Sequence, residues 1–247
     1  MSYFRHSAFP SSPFYSLCML AGVIFSIVFW FRLAKRDDKL LLIYIAALAG
    51  AFLGAKIVYI LAEGWMHFGK PYMWIMLATG KSIVGALLGG YAAVEIAKRA
   101  TGYRGITGDL FAMIVPVGVI IGRIGCLVNG CCLGKVCDPA WYTIRDIEGN
   151  PRWPAVPVEM LFNAVALLVF FIFRRKRVLS GQHFHLYLIG YGVFRFTHEF
   201  MRDTPRVFGG FSGYQIAALA VIALGAAGFE QRRRRSAVVR AATAQFQ

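Results

Sequence analysis

Gly118-Val-Ile-Ile-Gly-Arg-Ile-Gly-Cys-Leu-Val-Asn-Gly-Cys-Cys-Leu-Gly134 sets an arginine, an asparagine and three cysteines at the end of an otherwise apolar run that begins near residue 107. As a helix rising about 1.5 Å per residue, 107–130 is long enough to cross a hydrocarbon core about 30 Å thick. An arginine inside such a segment is costly unless it faces a cavity or a partner, so Arg123 is the first candidate functional residue. Gly118, Gly122 and Gly125 follow one another at spacings of four and three. Such a small-residue stripe permits close approach of neighbouring helices. Gly130 and Gly134 then suit a turn at the end of the run.

Outward from this stretch the chain keeps the same character. Its 247 residues are 58% hydrophobic with a mean hydropathy of +0.58, well above the roughly 45–50% apolar content of soluble domains. Apolar runs near 13–31, 40–62, 73–97, 107–130, 157–173, 184–200 and 212–229 predict an all-α polytopic membrane protein with seven transmembrane helices. Basic side chains crowd into 32–39, 98–104, 174–177 and the segment after 231. That bias predicts an N-out, C-in orientation. The expected organisation is a single transmembrane domain over 1–230, with a short exterior loop at 131–156, and a basic cytoplasmic tail at 231–247. The first run precedes a basic cluster instead of a small-residue cleavage site and is expected to stay as the first span. The net charge of +15 is explained by topology and by anionic lipids at the cytoplasmic face, so nucleic acid is not an expected partner.

Four basic residues fall inside the runs: Lys56, Lys81, Arg123 and Arg195. On the predicted topology Lys56 and Arg123 lie about 24 Å, and Arg195 about 17 Å, along helices entering from the cytoplasm, while Lys81 lies about 12 Å below the outer surface. Glu159 begins the fifth run, Glu63 ends the second, and Glu199 follows Arg195 by four residues. This one-sided distribution predicts a polar cavity facing the outer leaflet. Arg195 and Glu199 share a helical face, and Arg202 continues the stripe. A structural ion pair would account for Glu199, but the excess of cations calls for an anion. The planar guanidinium fork matches phosphate, and lysine adds a point charge. Lys56 reads equally as a side chain that snorkels to the interface. Lys81, among Gly80, Ser82 and Gly85, reads as a headgroup contact or as part of a close glycine-rich crossing. Tyr15 places a phenol at the depth of the suspected cavity, or serves as an interfacial anchor.

Cys126, Cys131, Cys132 and Cys137 have the spacing C-x4-C-C-x4-C, which is not the C-x2–4-C pairing of a structural zinc site. Neither a metal nor an organic cofactor is expected. A disulfide from Cys137 to Cys131 or Cys132, and simple burial, are the open readings.

Gly122-Arg-Ile-Gly125 with Asn129-Gly130, and Tyr191-Gly-Val-Phe-Arg-Phe-Thr-His-Glu-Phe-Met-Arg-Asp203, resemble the two most recognisable motifs of the prolipoprotein diacylglyceryl transferase family. Phe14-Tyr15, Gly80-Lys-Ser-Ile-Val-Gly-Ala-Leu-Leu-Gly89, Val156-Pro-Val-Glu-Met160 and Phe211-Ser-Gly-Tyr-Gln-Ile216 extend the likeness over 14–229 in the family's order. The resemblance implies seven helices around a central cavity. It also implies transfer of the diacylglyceryl group of phosphatidylglycerol to the lipobox cysteine of an exported preprolipoprotein, with release of glycerol 1-phosphate. By the same likeness Arg123 and Arg195 hold the headgroup, and Asn129, Glu199 and Tyr15 complete the catalytic set. Lys81, Glu159 and Arg202 are candidate substrate-binding residues. The chain departs from the family at Val84, where a histidine is usual, at Cys126 and Cys131 in place of polar residues, and at Phe162 in place of a glutamate. Two further readings follow: the same scaffold passing a lipid or glycerophosphate unit to a non-lipoprotein acceptor such as a glycan, and a lipid transporter or binding protein without enzymatic activity.

Overall fold

The computed structural model describes residues 13–35, 37–207 and 209–244. The elements in order are α1 (Pro13–Ala34), α2 (Asp38–Ala62), α3 (Met73–Thr79), α4 (Ile83–Thr101), α5 (Gly108–Val128), a two-stranded hairpin of β1 (Ile144–Arg145) and β2 (Pro151–Arg152), α6 (Ala155–Arg175), α7 (His183–His198) and α8 (Gly213–Ala244). Short 3-10 turns at Gly64–His67 and Glu199–Met201 follow α2 and α7. The protein is therefore an all-α membrane protein. Among the described residues, α2, α5, α6 and Gly213–Arg235 of α8 are each long and apolar enough to cross a membrane, and α3 with α4 make a fifth candidate if counted as one span.

The third apolar run is not one helix. It is interrupted between α3 and α4 and bent there by 56°. Gly80 adopts an extended conformation (φ −62°, ψ 131°). Ser82 N-caps α4 by accepting a hydrogen bond from the Gly85 amide at 3.2 Å, and the Ser82 amide donates to the Ala55 carbonyl of α2 at 3.1 Å. Lys56 supplies the other half of the break. Its Nζ donates to the carbonyls of Leu77 (2.6 Å), Ala78 (2.5 Å) and Gly80 (3.0 Å). A helix end in an apolar medium leaves its last carbonyls without partners. Half-buried Lys56 provides them, so its ammonium is committed to these carbonyls.

Two glycine pairs set the distance between α2 and α4. A methyl group on Gly54 would lie 2.3 Å from the Gly85 carbonyl oxygen, and one on Gly89 would lie 2.2 Å from that of Gly50. The backbones touch, as small residues at facing positions allow. Elsewhere the core is aromatic. Fully buried Trp30 of α1 stacks on Tyr44 of α2 at 5.0 Å and tilts against Phe111 of α5 at 4.9 Å. Asp109, in the first turn of α5, accepts from the amides of Gly181 (2.6 Å) and His183 (3.3 Å), which fastens the start of α7 to the start of α5. The opposite ends of these helices are thereby brought together, and α6, packed chiefly on α5, starts from that same end. That end carries the polar site.

Candidate active site

Five ionisable side chains meet where α5 ends, α6 begins and α7 ends. Arg123, Glu159, Arg195, Glu199 and Arg202 are all buried, the two glutamates with 0% exposure. Arg123 Nη2 contacts Glu159 Oε2 at 2.6 Å. The same oxygen lies 3.8 Å from Arg195 Nη1 and 3.9 Å from Arg202 Nη1. Glu199 Oε2 lies 2.8 Å from Arg195 Nη2 and 3.7 Å from Arg202 Nε. Neutral donors fill the remaining carboxylate oxygens: Tyr191 hydroxyl to Glu159 Oε1 (2.6 Å), and Thr204 (2.7 Å) and Ser212 (3.2 Å) hydroxyls to Glu199 Oε1. Arg195 also sits 5.7 Å from the ring centre of Tyr214. It falls in the last turn of α7, where the helix dipole favours a cation.

The guanidiniums are not satisfied by these partners. Arg123 Nε, Arg195 Nε and Nη1, and Arg202 Nε and Nη1 are buried without a hydrogen-bond acceptor among the described residues. A buried donor left unpaired costs about 1–3 kcal/mol, more when charged. A cluster with several such donors is an expensive way to stabilise a fold and a suitable way to hold an oxyanion with several acceptor atoms.

Neutral hydrogen bonds around Glu159 brace the cluster. Asn163, one helical turn beyond Glu159, donates to the Glu159 carbonyl (2.8 Å) and accepts from the Tyr187 hydroxyl (2.8 Å). Tyr187, Tyr191 and Asn163 were not among the residues picked from the sequence. The available signal was an asparagine inside an apolar run, four residues after a glutamate. Trp153 Nε1 donates to His198 Nε2 at 3.1 Å.

The loop 131–156 is tied to this end of the bundle. The Lys135 amide donates to the Met201 carbonyl at 2.9 Å, and Arg152 contacts Asp146 (2.6 Å), Asp203 (3.2 Å) and the Gly134 carbonyl (3.2 Å). Burial pushes the Asp146 carboxyl up, but the hydrogen bonds from Arg152, Asn150 and Glu148 outweigh it and hold the group well below the usual carboxylate range.

Three thiols adjoin the arginines. The Sγ atoms of Cys126, Cys131 and Cys132 lie within 4.8 Å of one another, and Arg123 Nη1 is 3.8 Å from Cys126 Sγ. Cys126, Cys131, Cys132 and Cys137 are all free, so neither disulfide left open by the sequence is formed.

The family-level comparison decides what this architecture belongs to. The model of the family described as "Prolipoprotein diacylglyceryl transferase" matches residues 10–230. The chain belongs to the prolipoprotein diacylglyceryl transferase family. Among its relatives, the phosphatidylglycerol–prolipoprotein diacylglyceryl transferase of Mannheimia succiniciproducens is 31% identical over 218 residues, covering 84% of this chain and 81% of that protein. That of Vibrio parahaemolyticus is 30% identical over 235 residues, covering 87% and 84%. That of Pseudoalteromonas atlantica is 32% identical over 214 residues, covering 82% and 76%. The chain is thus an enzyme of this transferase family.

Of the candidates drawn from the sequence, Arg123, Glu159, Arg195, Glu199 and Arg202 come together. Asn129 is half-buried at the C-cap of α5, and none of the described hydrogen bonds joins its side chain to the cluster. Lys81 is exposed at the break between α3 and α4, outside the cluster. Tyr15 lies in α1, and its side chain falls outside the described residues. Val84 of α4 is buried in the hydrophobic core and offers no titratable group.

Proposed function

We propose that this transferase moves the diacylglyceryl group of phosphatidylglycerol to the lipobox cysteine thiol of an exported preprolipoprotein and releases glycerol 1-phosphate. The observation that carries the reading is the convergence of three buried guanidiniums with unfilled donors on two carboxylates. Glu159 and Glu199 hold the arginines in place while the unfilled N–H groups receive the headgroup phosphate. The carbon–oxygen bond between glycerol and phosphate breaks, and negative charge grows on the departing phosphate. Preorganised guanidiniums stabilise that charge at the moment of bond breaking, a contribution of about 10²–10³ per donor in comparable oxyanion sites. Asn129 and Tyr15 orient the headgroup, and Lys81 and Arg202 add positive charge along its approach. The seven-helix, N-out, C-in arrangement in the bacterial cytoplasmic membrane, with the site toward the outer leaflet, belongs to the same proposal and is supported by the basic bias of the loops.

Val84 favours one rival, the same phospholipid donor with a non-lipoprotein acceptor. Complementation separates them. In a strain depleted of its own lipoprotein diacylglyceryl transferase, this chain is expected to restore lipoprotein modification and growth. Expression without modification, with label from phosphatidylglycerol recovered on a glycan, would establish the rival.

A further inference from the structure

We propose that Cys126, Cys131 and Cys132 form a three-thiolate site for one soft divalent metal ion of the zinc class, leaving a fourth position for the thiol of the acceptor. The sulfurs come from the last turn of α5 and from the turn that follows it, and all three lie within 4.8 Å of one another. A tetrahedral ion with metal–sulfur bonds of about 2.3 Å sets its sulfurs about 3.8 Å apart, a contraction that short side chains reach by small rotations. The sequence spacing C-x4-C-C does not advertise such a site. The backbone produces it: Gly130 (φ +62°) and Cys132 (φ +61°) both occupy the left-handed region and fold the turn back on the helix end. A non-glycine residue held there costs energy and is a recurrent mark of functional turns.

Charge and access agree with a catalytic type of site. Three thiolates around a divalent cation leave one negative charge in excess, and Arg123 Nη1 lies 3.8 Å from Cys126 Sγ to offset it. Arg202 also acts electrostatically on Cys132. The residues run from buried Cys126 through half-buried Cys131 to exposed Cys132, while the Cys132 thiol feels the charges of Arg123 and Arg202, so the fourth position lies on the side of the arginine cluster. Structural zinc sites are closed by four protein ligands, whereas three protein ligands and an open position mark catalytic ones.

Within the arginine cluster both carboxylates are held in ion pairs, and His198 uses its Nε2 lone pair to accept from Trp153, so none of these three takes the proton of a thiol. Glu63, which acts electrostatically on Cys132 and Arg202, and a metal ion are the two remaining routes, and the thiol trio supports the metal. A metal deprotonates a coordinated thiol outright. The proton passes to solvent, and the metal-held sulfur attacks the glycerol carbon. A carbon–sulfur bond forms as the carbon–oxygen bond breaks, and its electron pair leaves on the phosphate of glycerol 1-phosphate. This use of the fourth position rests on the proposed transfer to a thiol. Metal binding by the three cysteines does not.

The test uses the full chain, purified reduced in detergent and dialysed against Zn2+ or Co2+. About one ion per chain is expected, with sulfur-to-cobalt charge-transfer bands in the near ultraviolet and tetrahedral d–d bands in the visible. C126S, C131S and C132S are each expected to lose metal by about tenfold or more while C137S keeps it. A peptide bearing a lipobox cysteine is expected to shift the cobalt bands, and its serine analogue to leave them unchanged. Free thiols with no bound metal in the wild-type chain, a disulfide among the three, or equal loss in C137S would overturn the site. Cobalt bands indifferent to the cysteine peptide would overturn the acceptor position alone, whatever the outcome of complementation.

Discussion

Glu159 is the point on which the site turns, because three guanidiniums gather on its Oε2 at 2.6, 3.8 and 3.9 Å. Removing its charge leaves Arg195 and Arg202 beside Glu199 and Arg123 without its carboxylate. Breaking a buried ion network from one side costs about 3–5 kcal/mol, so E159Q is expected to lower the thermal unfolding temperature in detergent markedly. Y191F deletes one hydroxyl hydrogen bond to the same carboxylate and is expected to cost less, about 1.5–3 kcal/mol. Equal stabilities for E159Q and Y191F would contradict the central place given to Glu159. Arg123 and Arg195 were legible in the sequence because a charge in an apolar run has no inexpensive explanation. The role of Glu159 was less visible, since it depends on α5, α6 and α7 ending together, which no local pattern encodes. The thiol trio was hidden for the same kind of reason: its spacing fits no zinc motif until the turn folds.

At the scale of elements, the break between α3 and α4 shows a correction with a physical cause. A continuous apolar run predicted one helix over 73–97, but periodicity does not reveal that a lysine on α2 will cap three carbonyls at the interruption. K56M is expected to leave those carbonyls unpaired and to destabilise the fold by about 1–3 kcal/mol, read as faster hydrogen exchange in 77–82. Unchanged exchange there would show that the cap is dispensable. The α2–α4 contact is equally specific. G54A places a methyl 2.3 Å from the Gly85 carbonyl, so the helices must separate at a cost of about 1–3 kcal/mol. The hairpin over the site responds to pH through Asp146. Its carboxyl is held below its usual value in the folded loop, so its stabilising contribution is complete above the unfolded pKa of about 3.9 and is lost as pH falls through the lower folded value. Limited proteolysis between 134 and 153 is expected to be flat from pH 8 to about pH 4 in the wild type and faster in D146N at neutral pH. Protection in D146N equal to the wild type would argue against the Arg152–Asp146 clasp.

For the whole molecule, the apolar runs recovered the helical content and family membership fixed the class of chemistry. The number of spans is where the two views differ, because α7 has 16 residues and α3 is only a fragment. Seven crossings require both α1 and α7 to pass through, and the basic stretches of α8 to end inside. A reporter fused after Ala244 is expected to be active only in the cytoplasmic compartment; exterior activity would reverse the orientation. In the proposed reaction the arginines at one end of this bundle hold the phosphate of an anionic phospholipid headgroup as its bond to glycerol breaks. The most direct measurement is the initial rate of glycerol 1-phosphate release from phosphatidylglycerol by the purified protein with a lipobox peptide. Wild type is expected to release it in step with thioether formation, and R123A and R195A, folded and expressed alike, to fall by about 10²–10³. Release unchanged in both variants would contradict the account.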